Sequence, residues 1–358
     1  MRRVAFYAPM KSPRNPVPSG DREMARNLMT VIHEAGLEVS LASELRIYDR
    51  TGDPALQSGL RASARSEVDR LTEELPQDTA LWITYHNYYK APDLIGPAIC
   101  RARNIPYVQV ESTRATSRLD GAWSGFARDA HTACDAAEVI FYLTQNDLIT
   151  LQRERFGDQA LVHLPPFLPR TGLPPAGPRN GPMLCAGMMR EGDKLASYRI
   201  IAETLAHLGG DWRLEIAGDG PARARVEDLM APYGDKVRFL GELDPARMQA
   251  AYGRAALFLW PGVNEAFGMV YLEAQAAGLP VVAQDRPGVR DVLLSGHYPA
   301  PDAGPPALAS MIRRLLADPD TRLARGAAAR KMIERDHLLP AATNIFAAAV
   351  APLLETQP

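Results

Sequence analysis

Ten short apolar runs alternate with helical patterns along the whole chain, and that alternation leaves few folds open. In the first half the runs are VAFYAP (4–9), EVSLAS (38–43), ALWITY (80–85), YVQV (107–110) and VIFYLT (139–144). In the second half they are MLCAG (183–187), RLEIAG (213–218), VRFLG (237–241), LFLWP (257–261) and PVVAQ (280–284). Several are apolar on both faces, as strands are when a parallel sheet is covered by helices above and below. Two successive β–α–β series predict an α/β chain with two doubly wound parallel-sheet domains.

A break separates the two series. Residues 165–182, PPFLPRTGLPPAGPRNGP, hold seven prolines and three glycines, which suit neither a core helix nor a central strand. The expected organisation is a Rossmann-like domain over residues 1–168, a linker over 169–182 and a second Rossmann-like domain over 183–339. Residues 340–358 read as an alanine-rich helix that could cross back to brace the first domain. Open sheets of this kind bind ligands at the carboxyl ends of their strands. Both sets of strand ends are therefore expected to face a central cleft.

Composition mainly excludes. The 358 residues suffice for two full cores. With 46% hydrophobic residues, 23% charged residues and a net charge of −2, nothing points to a nucleic-acid partner. Cys100, Cys134 and Cys185 are far apart, and no CxxC or HExxH spacing occurs, so neither a disulfide framework nor a metal site is expected. The start MRRVAFYAPM reads as a first strand rather than a leader, because Pro9 and Lys11 cut its apolar run short. No run approaches the roughly 18–20 residues of a membrane span. A cytoplasmic location is the expectation.

The unusual residues sit in the loops after strands. After the first strand, Ser19, Gly20 and Asp21 open a helix. Ser19 or Asp21 can cap it, Gly20 lets a ligand approach the backbone, and a helix N-terminus suits a phosphate. An ordinary capped helix start would use the same residues. In GMMREGDKLASY, Gly187 bends the chain and Arg190 and Lys194 lie four apart. Two cations beyond a strand end suit a diphosphate, though a solvated basic turn is the alternative. Gly218-Asp219-Gly220-Pro221 is a tight turn with proline opening the next helix; it lacks the third glycine of a dinucleotide fingerprint.

The most informative stretch is LFLWPGVNEAFGMVYLEAQAAG, residues 257–278. It reads as a buried strand, a loop over 262–267, and a helix from about Gly268 to Ala277 that Gly278 ends. Glu265 then lies in the loop and Glu273 about a turn and a half inside the helix. Free first-turn amides near Phe267 to Val270 lie between the two carboxylates. A phosphate can rest on them while Glu273 accepts ribose hydroxyls and Glu265 meets a sugar beyond. The plainer alternative leaves Glu265 as a carboxylate favoured by the helix dipole and Glu273 on a solvated face.

Glu265 and Glu273, separated by seven residues, followed by AQAAGLPVV and preceded by GDGP and VRFLGELD, resemble the retaining glycosyltransferases of the GT-B fold, family 4 (glycosyl transferases group 1). The likeness covers most of the chain and is strongest over residues 183–293. It implies a GT-B fold and a nucleotide-diphosphate sugar as donor, with UDP the family's common nucleotide and no cofactor or metal. It also implies ribose on Glu273 and sugar hydroxyls on Glu265 and the backbone of Phe267, Gly268 and Met269. The diphosphate would lie on Arg190, Lys194 and Gly20, with Gly187 and Gly218 lining the donor site and base contacts near Arg238 and Leu240. The first domain would take a glycan, lipid or small-molecule acceptor. An envelope polysaccharide or lipid acceptor would require peripheral contact at the inner face of the membrane. Lys11, Arg14, Arg22, Arg26, Arg101, Arg103, Arg114 and Arg118 are too interspersed with acids to form a polybasic patch.

Three positions depart from the family's pattern. Met188 stands where an arginine usually follows the glycine, so Arg190 would substitute for it. Trp260 lies where a small polar context is commoner. Glu111, in YVQVESTRA, falls about where many members have a histidine, and His86, in TYHNYYKAP, is a second candidate at a strand end. No carboxylate pair arranged as in glycosidases is evident. Transfer would rest on stabilising the departing diphosphate. A nucleotide-sugar epimerase, a phosphorylase-like enzyme and a non-catalytic nucleotide-sugar-binding module remain as alternatives. An epimerase would convert donor alone, and a binding module would transfer to nothing.

Overall fold

The computed structural model describes residues 1–17 and 19–355. The chain forms two compact units, one of residues 1–165 with the segment from Leu339, the other of residues 166–338. In the first unit the order is β1 (Arg3–Tyr7), α1 (Gly20–Glu34), β2 (Glu38–Ser43), α2 (Pro54–Glu74), β3 (Thr79–Asn87), α3 (Gly96–Arg103), β4 (Tyr107–Ser112), α4 (Ser124–Asp135), β5 (Val139–Tyr142), α5 (Gln145–Arg153) and β6 (Ala160–His163). In the second it is β7 (Met183–Ala186), α6 (Asp193–Ala206), β8 (Leu214–Ala217), α7 (Arg223–Met230), β9 (Val237–Gly241), α8 (Pro245–Arg254), β10 (Phe258–Leu259), α9 (Met269–Ala276), β11 (Val281–Val282), α10 (Gly304–Ala317) and α11 (Pro319–Asp336). The last helix, α12 (Leu339–Glu355), belongs to the first unit.

Both sheets are parallel throughout, in the orders β2-β1-β3-β4-β5-β6 and β11-β10-β7-β8-β9. The reversal of strand order beside the first strand of each sheet is where doubly wound folds bind ligands. Local chemistry explains the elements. The Ser19 side chain accepts from the Arg22 amide and starts α1, which buries Met24, Ala25, Leu28, Val31 and Ile32 at helical spacing. Thr144 and Asp147 form a reciprocal capping box on α5. Asp53 and Asp244 cap α2 and α8, each with proline in the first turn.

Two features differ from the sequence reading. A sixth strand, β6, pairs with β5 at the edge of the first sheet. Its four residues, ALVH, make a short run in which Ala160 is exposed and the other three are partly buried. The proline-rich segment is also no free tether, because it packs on the second unit. The Leu168 amide bonds to the His337 carbonyl at 2.9 Å, and the buried Arg179 guanidinium donates to the Gly278 carbonyl. A buried guanidinium needs such acceptors, and carbonyls left free where α9 ends supply them. In α12, Phe346 stacks on Phe141 of β5, with ring centroids 5.6 Å apart.

Candidate functional site

The second unit builds its site at the carboxyl edge of its sheet. Gly187 follows β7 and Gly218 follows β8. The Gly187 amide bonds to the Ala217 carbonyl at 3.0 Å, and the Gly218 amide to the Gly241 carbonyl at 2.7 Å. Gly218 has φ +137°, and a Cβ there would collide with the Gly187 carbonyl. The Gly-Asp-Gly-Pro turn is therefore glycine-rich so that two strand-end loops can touch backbone to backbone. The Met189 amide and carbonyl are bonded to the Asp219 carbonyl and the Ala222 amide, both at 2.9 Å. Met189 is consequently buried while Met188 and Arg190 are exposed.

The loop between β10 and α9 is held from several sides. The Asn264 side chain donates to Asp193 at 2.8 Å, and the Val263 amide donates to Ser197 at 3.1 Å. Both partners lie on α6. Gly268, with φ +75°, is the residue before α9 in a left-handed conformation that glycine adopts without strain. The helix thus begins at Met269, one residue later than the sequence suggests. Phe267, Gly268 and Met269 remain partly accessible at the helix start, where the first amides have no intrahelical acceptor.

Glu265 is the convergence point. Lys194 Nζ, reaching from α6, bonds to Glu265 Oε1, and Trp260 Nε1 donates to the same oxygen at 2.9 Å. The Lys194 ammonium also lies 5.3 Å from the centre of the Trp260 ring. Lys194 is therefore paired with Glu265 rather than projecting as a lone cation. Glu273, a turn into α9, accepts a hydrogen bond from the buried Tyr252 hydroxyl at 2.8 Å. Burial raises the Glu273 carboxyl above its ordinary value, and the Tyr252 bond and the charge of Arg170 pull part of it back. A partly buried carboxylate with one phenolic donor retains lone pairs for further hydroxyls.

Arg238 does not join this group. It starts near the amino end of β9, is exposed, and lies 3.8 Å from Glu215, which Arg254 also holds at 2.6 Å. Leu240 is next to Gly241 at the carboxyl edge, partly buried.

In the first unit, β3 and β4 are neighbours, and His86 and Glu111 sit near their carboxyl ends with φ of +66° and +56°. Neither is glycine, and left-handed backbone at side-chain-bearing residues is strained and concentrates at ligand sites. His86 Nδ1 lies 3.2 Å from Asp21 Oδ1 in the first turn of α1. Burial acts to lower the imidazole's pKa, but Glu111 and Asp21 outweigh it and the net shift is upward. Glu111 is raised by burial, against the pull of His86, and its Oε2 is enclosed without a hydrogen-bond partner. Gly20 borders this cluster in sequence, and a Cβ there would meet no neighbour, so packing does not demand glycine.

Sequence reasoning missed several of these partners. Tyr85, His86, Tyr88, Tyr89 and Trp123 form a continuous series of ring contacts with centroids 4.7–5.7 Å apart. Lys90 and Arg118 both lie against Tyr89 and Trp123. The run YHNYYK carried that signal; the contribution of Trp123 did not show. Tyr252 and the indole N–H of Trp260 had no local signature. Among the described residues no group of three or more His, Cys, Asp or Glu is placed to hold a metal, and no helix is long and apolar enough to cross a membrane.

Residues 195–332 match the family model described as Glycosyl transferases group 1. Curated relatives align over part of the chain. An alpha-D-kanosaminyltransferase from Streptomyces kanamyceticus is 32% identical over 156 residues, which is 42% of this chain and 39% of that protein. A D-inositol 3-phosphate glycosyltransferase from Salinispora tropica is 40% identical over 138 residues, 34% of this chain and 27% of that protein. The alignments thus span well under half of these relatives. Solved structures match across the whole fold. Sucrose-phosphate synthase from Thermosynechococcus elongatus superposes with a TM-score of 0.74 at 18% identity, covering 100% of both chains. Anabaena HepE in complex with UDP gives 0.71 at 14% identity, covering 98% of this chain and 100% of that one. The architecture is the GT-B fold, and the second unit carries a glycosyl transferases group 1 domain.

Proposed function

We propose that this chain is a retaining, family 4 type glycosyltransferase that moves a sugar from a nucleotide diphosphate, UDP by preference, to an acceptor hydroxyl. The observation that carries the reading is the arrangement around the start of α9. Glu265, bonded to Lys194, lies just before the helix, and Glu273, bonded to Tyr252, lies a turn inside it. Two carboxylates, a cation and unsatisfied helix amides then surround a space suited to an anion flanked by two polyols.

In this reading the diphosphate rests on the α9 amides and Lys194, with the exposed Arg190 as the second cation. Glu273 accepts the ribose hydroxyls, and Glu265 with the Phe267–Gly268–Met269 backbone accepts those of the sugar. Leu240, Gly187 and Gly218 border the base and diphosphate. The bond between the anomeric carbon and the β-phosphate oxygen breaks while the acceptor oxygen bonds to that carbon on the same face. The acceptor proton passes to the departing phosphate oxygen. Cations and helix amides aimed at the leaving diphosphate supply the stabilisation.

The nucleotide assignment is supported by HepE, solved with UDP and with UDP-glucose, although relatives that use GDP-mannose also align. In the first unit, His86 and Glu111 would serve the acceptor, with the aromatic series beyond His86 offering faces on which sugar rings stack. Glycan, lipid and small polyol acceptors all fit that chemistry. A lipid-linked acceptor would bring the protein to the cytoplasmic face of a membrane.

Calorimetric titration of UDP, GDP and ADP into the wild-type protein and Glu273→Ala tests the reading. One nucleotide should bind selectively and lose most of its affinity in the variant. A folded wild-type protein that binds none of the three refutes it.

A further inference from the structure

Trp260 is an unusual residue to find beneath a charged pair. Its indole is fully buried. The ring lies edge-on to Tyr198, with centroids 5.2 Å apart, and a Cβ at Gly187 would come within 2.7 Å of it. Its own carbonyl accepts from the Tyr271 hydroxyl at 3.0 Å. Packing on this many sides leaves the ring a single orientation.

In that orientation the ring presents two different surfaces to two different charges. Its N–H donates to Glu265 Oε1 at 2.9 Å, and its face receives the Lys194 ammonium 5.3 Å from the centre. Lys194 Nζ and the indole N–H converge on the same oxygen, while Glu265 Oε2 takes no hydrogen bond among the described residues. A buried indole N–H requires an acceptor, and a carboxylate is a strong one.

We propose that Trp260 is the positioning residue of the donor site, fixing Glu265 so that Oε2 alone faces the transferred sugar and thereby setting recognition of that sugar. The proposal rests on the donor-site reading above. A freely rotating glutamate would accept hydroxyls in several geometries. One whose other oxygen is pinned by a rigid ring accepts them in one, and precise placement of a binding carboxylate is what its neighbours must supply. The nucleotide and diphosphate do not depend on that bond, because Lys194 retains an aromatic face when the ring is a phenyl.

The test compares wild type with Trp260→Phe by calorimetry, using bare UDP with UDP-glucose and bare GDP with GDP-mannose. Phe keeps the aromatic face and removes the N–H. Affinity for the bare nucleotide should stay within about twofold, while the preference for the sugar nucleotide over the bare one falls about tenfold, as loss of a hydrogen bond to a charged group would produce. An unchanged preference overturns the inference, including the case in which the sugar adds nothing to wild-type affinity. A wild-type protein that binds ADP alone is tested in the same way with ADP and ADP-glucose, and absence of binding of all three bare nucleotides to wild type would instead refute the donor-site reading itself.

If Trp260→Phe does not fold, Glu265→Gln in the intact tryptophan background gives an independent reading. One of the four tryptophan indole N–H resonances should move on that substitution. The same resonance in wild type should move with the sugar nucleotide and hold still with the bare one. Indole resonances indifferent to Glu265→Gln would overturn the proposal.

Discussion

Tyr252→Phe is the sharpest probe of the second carboxylate, because it removes one hydroxyl and little else. The ring packs near Phe258, with centroids 6.0 Å apart, and a phenyl retains that contact. What is lost is the 2.8 Å bond to Glu273. A hydrogen bond to a charged group contributes about 1.5–3 kcal/mol. For a unit the size of residues 166–338 that corresponds to a fall in melting temperature of roughly 3–12 °C. The sign with pH follows from the shift. Burial raises the folded Glu273 carboxyl above its ordinary value of 4.5, and the tyrosine bond opposes that rise. A group whose folded value is raised contributes its stability below the unfolded value and loses it as pH climbs through the folded one. Removing the tyrosine bond raises the folded value further, so the deficit of the variant should be small near pH 4.5 and grow toward neutral pH. Thermal melts of both proteins from about pH 4.5 to about pH 8 read this directly. A deficit that is absent, or equal at both ends, would mean that residue 273 carries no charge against that phenol, and the account of Glu273 as a primed hydroxyl acceptor would fall.

Two further outcomes are expected. Lys194→Ala should weaken the bare nucleotide diphosphate about tenfold to a hundredfold, the range for one charge-assisted contact, in a calorimetric titration; wild-type affinity would show that Lys194 serves only Glu265. Asp21→Asn should lower thermal stability within a bounded pH window. Burial opposes charge on Asp21, but the His86 bond and charge hold its carboxyl below 3.8, while His86 is held above 6.5. The first effect stabilises above pH 3.8 and the second is lost as pH rises through the His86 value. Melting differences should therefore open above about pH 4 and close on the alkaline side of 6.5, and a difference that persists undiminished to pH 9 would dissolve the pair.

Alternating apolar runs placed both central sheets, because strands covered on two faces must be apolar along their length whatever their partners are. The spacing of Glu265 and Glu273 around a glycine-started helix was likewise visible, since a helix start and its neighbours are set within one stretch of backbone. Edge strand β6 escaped because its apolar run is only four residues long and leads directly toward two prolines, and the packing of residues 166–182 on the second unit escaped because proline density speaks of backbone, not of where Arg179 finds its carbonyls. The departure at Trp260 stood out in the sequence as an odd residue, yet nothing local said that its N–H would meet Glu265 or its face Lys194. Lys194 comes from α6 while Trp260 and Glu265 share the connection between β10 and α9, and Tyr252 and Glu273 come from the separate helices α8 and α9. The sequence by itself thus determined which elements form and which loops carry charge, through propensities and periodicities that act within a dozen residues. Which charge meets which donor was decided only by the tertiary structure, because a buried polar group must be paired by whatever the parallel sheet brings beside it.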